Sequence, residues 1–147
     1  MRVYATAGQG ADDRYVILAR FMFPDTIYRR ADVAAFDLVR FTITELRMAV
    51  NKGRGLEMQT TQDAALIAEV LARLKEPGPL VAATEPYDNY RVELRSPQAP
   101  GVYYLLYYVV TGDGRVFLAE RATPEAWFAA GEGLAQCARR ATGRAGG

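Results

Sequence analysis

The sequence predicts a single α+β domain over residues 1–147, with a mostly antiparallel sheet, one amphipathic helix at about 62–75 and a C-terminal helical region. Three observations carry that class. The stretch "VYYLLYYVV" at 102–110 contains no charge and lies between Gly101 and the turn-like "TGDG" at 111–114, so an extended segment there needs cover on both faces. Its neighbours alternate: in "YRVELR" at 90–95, Tyr90, Val92 and Leu94 oppose Arg91, Glu93 and Arg95, and after the turn Val116 and Leu118 oppose Phe117 and Ala119. Between Thr60 and Pro79 the period changes, and Ile67, Val70, Leu71 and Leu74 follow the i, i+3, i+4, i+7 spacing of one helix face.

Taken in order, "RVYATAGQGADD" offers a short strand at 2–6 followed by a Gly/Asp loop, and residues 1–13 and 142–147 are expected to be loose ends. From Arg14 to Phe23 an alternating apolar run predicts a largely buried strand, ended by Pro24 and Asp25. Between Asp37 and Val50, Val39, Phe41 and Ile43 share one side, and Leu46, Met48 and Val50 follow after a phase change at Glu45. Such a slip predicts a bulge or a break between two strands. "NKGRG" at 51–55 then supplies a turn and "LEMQT" the second strand of a hairpin. The helix that follows is expected to take Thr60 or Thr61 as its cap, with Asp63 in the positive first turn, Lys75 at the negative end, and Pro77, Gly78 and Pro79 as the stop. Glu69 and Arg73 stand four apart on its polar face, a pair worth a few tenths of a kcal/mol.

Three strands joined by the short turns "SPQAPG" and "TGDG" predict a meander with residues 102–110 in the middle. Val102, Tyr104, Leu106, Tyr108 and Val110 share one face and Tyr103, Leu105, Tyr107 and Val109 the other. A helix is expected over one face; the N-terminal strands, a second helix or another chain would cover the other. In "TPEAWFAAGEGLAQC", Thr123, Pro124 and Glu125 form a helix start, and Trp127, Phe128, Leu134 and Cys137 are its expected packing residues. Gly131 and Gly133 suggest two short helices around "GEG". This region is expected on an edge of the sheet or on the face opposite the first helix.

Composition bounds the chemistry. Half the residues are apolar and about a quarter charged, as in ordinary globular domains. The net charge of +1 lacks the basic excess of a nucleic-acid footprint, so nucleic acid is not an expected partner. No histidine occurs, which removes the usual neutral-pH base, Ser–His and Cys–His pairs and histidine metal sites. With the single Cys137 and one serine, Ser96, neither an internal disulfide nor a cysteine metal cage can be built, and no catalytic residue, cofactor or metal is assigned. No run approaches the roughly 18 apolar residues of a membrane span. "YVILARFMF" at 15–23 is interrupted by Arg20 and is followed by no cleavage pattern, so the chain as written reads as cytoplasmic, or as extracytoplasmic had a leader been removed.

Two groups of residues are candidates for a ligand or partner surface. Tyr103 and Tyr107 could stack on a partner if their face were open. Arg47, Lys52 and Arg54 gather positive charge at the hairpin tip, where an acidic partner or phosphate could bind. The carboxylates Asp12, Asp13, Glu45, Glu57, Glu85, Asp88, Glu93 and Glu120 are scattered, and two could meet in a cleft as acid and base.

The order of "FTITELRMAV", the helix "TTQDAALIAEVLARL" and a meander ending in "GDGRVFLA" resembles small α+β domains of extracytoplasmic lipoproteins and other uncharacterised envelope proteins of Gram-positive bacteria. The likeness covers about residues 37–121 and rests on layout. It implies a small binding or regulatory module displayed outside the membrane; the chain departs from that pattern in showing no signal peptide or lipid-anchoring cysteine near its start. The expectation is a non-enzymatic binding or interaction module, with a protein partner or self-association. The alternative is an enzyme or small-ligand-binding domain that uses a carboxylate pair in a sheet–helix cleft.

Overall fold

The computed structural model describes residues 3–5, 15–17, 27–29, 38, 40–51, 55–99, 102–121 and 123–141, with side chains from residue 38 onward. In chain order they form β1 (Val3–Ala5), β2 (Tyr15–Ile17), β3 (Ile27–Arg29), β4 (Glu45–Asn51), β5 (Leu56–Thr61), α1 (Ala64–Lys75), β6 (Val81–Ala82), β7 (Tyr87–Arg95), β8 (Val102–Thr111), β9 (Val116–Ala119), β10 (Ala126–Ala129) and α2 (Glu132–Ala141). The class is α+β. One sheet runs β5-β4-β7-β8-β9-β10-β6, with β1 also paired to β8, while β2 and β3 form a separate antiparallel pair. All its ladders are antiparallel. Tyr104 pairs with Leu94 on one side and Val3 on the other, and residues 107–110 pair with β9, so β1 and β9 share one edge of β8. No helix among the described residues is long and apolar enough to cross a membrane.

The meander forms as its alternation predicts, and β8 is buried along its length except for half-buried Tyr107. Val102, Tyr104, Leu106, Tyr108 and Val110 join Leu46, Met48, Val92, Leu94, Val116, Leu118 and Phe128 in the main core, under Leu66, Ile67 and Val70 of α1 and Leu134, Ala135 and Ala138 of α2. Both helices therefore lie on the same face of the sheet. This corrects the expected placement of the C-terminal helix: α2 extends the α1 layer. On the other face, hereafter the outer face, Val109, Phe117, Ala119 and Trp127 make a second, smaller cluster.

The hairpin of β4 and β5 pairs Asn51 with Leu56 through Leu46 with Thr61. Gly55 takes a φ of 123°, a backbone that favours glycine. The phase change before β4 is a break: residues 41–44 are irregular, held by Thr44 N–H donating to the Arg95 carbonyl at 3.1 Å, and Ile43 still reaches the core. Val39 lies outside the described residues, as do Arg14 and residues 18–23 of the expected 14–23 strand. Of the 1–13 segment read as a loose end, Val3–Ala5 is part of the sheet.

The α1 cap is Asp63 rather than a threonine. Its carboxylate accepts from Ala65 N and Leu66 N at 3.0 and 3.2 Å, and Thr61 supports it by accepting from Asp63 N. Glu69 does not pair with Arg73; its carboxylate accepts from Gly133 N at 3.1 Å and so caps α2 from a neighbouring helix. A Cβ on Gly131 would run into that carboxylate, which is why glycines precede and open α2. The predicted helix start at Thr123 is also corrected, because Ala126–Ala129 is a strand. Trp127 stacks on Phe117 at 5.1 Å and meets Tyr87 edge-on at 5.1 Å, and those ring partners hold it extended.

Candidate interaction surface

On the outer face the register lines up charge and aromatic side chains. Arg47 of β4 stands opposite Glu93 of β7, which stands opposite Leu105 of β8, while Arg91 stands opposite Tyr107. Residues opposite one another in an antiparallel ladder point to the same side, so Arg47, Tyr103 and Tyr107 share this face. The face read as wet along β7 is only partly so, because Glu93 is buried. Arg95 meets its carboxylate at 2.6 Å and Arg91 approaches it at 3.6 Å. Arg91 Nη2 also donates to the Tyr103 hydroxyl at 2.5 Å, and the Arg95 guanidinium lies 4.8 Å from the Tyr103 ring centroid. Burial raises the Tyr103 phenol above its ordinary value, against the pull of Arg91. Tyr103 is 6% exposed, so its cluster fastens β7 to β8 and presents little to a ligand. Arg47 pairs with Glu45 at 2.9 Å and stays partly exposed. Lys52 and Arg54 lie outside the described residues.

The open feature is the edge of the sheet. β5 is exposed at every position but half-buried Thr61. Leu56 is 67% and Met58 44% exposed, and their partners Asn51 and Ala49 place them on the outer side. The exposed large hydrophobics of the described residues are Leu56, Met58, Leu80 and Val81, which sit on or beside the two edge strands. β6 is a two-residue strand, short enough to offer little template, whereas β5 is a six-residue strand in unbroken register. It carries no lysine or proline, the residues that commonly blunt an edge, and Glu57 is its sole charge. Alternate N–H and C=O groups of such a strand point away from the sheet. The sequence predicts this segment as a hairpin arm; its edge position comes from the strand order and has no signal in the strand itself.

A cleft of about 440 Å³ opens elsewhere, where Pro77 and Leu80 follow α1 and Glu120, Pro124, Glu125 and Phe128 flank the β9–β10 connection. It brings Glu120, one of the carboxylates singled out from the sequence, to the same lining as Glu125. Among the described residues no group of three or more His, Cys, Asp or Glu side chains could hold a metal ion. Trp127 Nε1 is buried with no hydrogen-bond partner among the described residues.

Fold and surface together define a two-layer α+β domain, with two helices on one side of an antiparallel sheet and an unguarded strand at its edge. Comparisons with protein-family models, with curated proteins and with solved structures give no match to this chain.

Proposed function

We propose that the chain is a non-enzymatic protein-interaction module whose recognition element is the β5 edge. One observation carries this reading: a six-residue edge strand, solvent-exposed and without protecting residues, presents Leu56 and Met58 beside its free backbone groups. An added strand gains main-chain hydrogen bonds from such an edge and specificity from the alternating side chains. The resemblance to envelope domains points to a binding module as well. A photoreactive benzoyl-phenylalanine at Met58, with a control at exposed Gln136 on α2, tests it in the cell that makes the protein. The reading expects a discrete crosslinked species from position 58 and none from 136; no adduct from position 58 refutes it.

The alternative, a small-ligand or enzymatic site using a carboxylate pair, attaches to the cleft that Glu120 and Glu125 both line. It expects small cationic or sugar ligands to shift the amide signals of Ala119, Ala126 and Phe128. Silence from those amides across such a panel removes it.

A further inference from the structure

The partner of the β5 edge follows from the strand's own sequence, and this step rests on the edge reading above. We propose that β5 pairs with β5 of a second copy, antiparallel, about a two-fold axis at Met58. In that register Leu56 faces Thr60 of the other copy, Glu57 faces Gln59 and Met58 faces Met58. The only charge on the strand then meets a carboxamide twice, and never its own counterpart. Moving the axis by one residue to Glu57 would oppose two carboxylates, and moving it to Gln59 would separate the two exposed methionines. Paired residues across this axis are an even number of positions apart, so each side chain keeps its face: Leu56 and Met58 of both copies lie together on the outer side, and both helix layers lie on the other. A two-fold contact uses up β5 in both copies and closes, which leaves β6 as the short outer edge of each. Six residues a side are fewer than the roughly 20–30 of a permanent interface, so the pairing is reversible and depends on concentration.

Sedimentation velocity of the purified full chain, from low micromolar to millimolar, should show a monomer–dimer equilibrium that stops at two copies. Gln59→Lys should tighten it several-fold, because each new lysine faces Glu57 of the other copy, and Met58→Lys should weaken it by at least about tenfold by opposing two cations at the axis. In a Cys137→Ala background, mild oxidation of Met58→Cys should give a disulfide-linked dimer, since directly opposed residues have Cα atoms about 4.5–5.5 Å apart, within disulfide reach. Circular dichroism of each variant confirms that it is folded. A strict monomer at the highest concentration, growth beyond the dimer, or linkage through Gln59→Cys but not Met58→Cys would each overturn the proposal. If the Met58 photoadduct in cells contains a different protein and the purified chain stays monomeric, the module reading survives and the second-copy assignment does not; absence of any adduct removes both.

Discussion

Tyr108 shows how one side chain ties two distant parts of the chain together. It stands at the centre of β8, stacks on Tyr90 at 4.9 Å, and donates its hydroxyl proton to the Ala49 carbonyl of β4 at 2.6 Å, reaching past the intervening β7. Burial, the larger cause, and the neighbouring Tyr90 both raise its phenol far above the ordinary 10.0. The folded chain therefore keeps this proton at a pH where the unfolded chain has released it. The resulting stability is fully present below the unfolded value of 10.0 and is lost as pH rises beyond it. Urea denaturation at increasing pH should show stability falling above about pH 10, and Tyr108→Phe should fall less steeply. Near neutral pH the same variant should be less stable by about 1 kcal/mol, the value of one hydrogen bond whose buried acceptor is left alone. An equal alkaline slope in the two proteins would contradict the assignment. At the other end of the scale, Asp113 is held below its ordinary value first by the Thr111 hydroxyl and then by Arg115, and these contacts, with Gly114 at a φ of 85°, close the β8–β9 turn.

Among the elements, α2 depends most on a residue outside itself. Glu69 of α1 supplies the acceptor that its first turn lacks, and Gly131 keeps the approach clear. Glu69→Ala should cost about 1 kcal/mol, as lost caps do, and Gly131→Ala should cost a similar amount by displacing the same carboxylate. The double variant should then cost little more than either single one, which a double-mutant cycle from chemical denaturation would measure; strict additivity would show that the two residues act separately. This contact also explains a limit of the sequence. The period-2 runs of β7, β8 and β9 and the helical spacing of α1 were legible because each element's own residues carry the pattern. The strand at 126–129 was not, because Thr123, Pro124 and Glu125 imitate a helix start while the rings that hold Trp127 extended, Phe117 and Tyr87, lie on other strands, outside the segment's own pattern. A two-residue strand such as β6 has no periodicity to read.

For the whole molecule, the helices occupy one face, the Arg–Glu–Tyr cluster ties much of the other together, and the sheet ends at β5. That Arg47, Tyr103 and Tyr107 share a face follows only from strand order and register, which also bring Arg91 and Arg95 against Tyr103. The edge position of β5 likewise belongs to the topology; nothing in "LEMQTT" says which strand comes last. The proposed role depends on that position, and amide hydrogen exchange along β5 at two protein concentrations tests it most directly. Alternate amides between Leu56 and Thr61 should exchange fast in dilute solution and slow markedly in concentrated solution, while those bonded to β4 stay slow in both. Slow exchange at every β5 amide in dilute solution would contradict the edge position on which the role depends, and exchange independent of concentration would contradict the second-copy pairing.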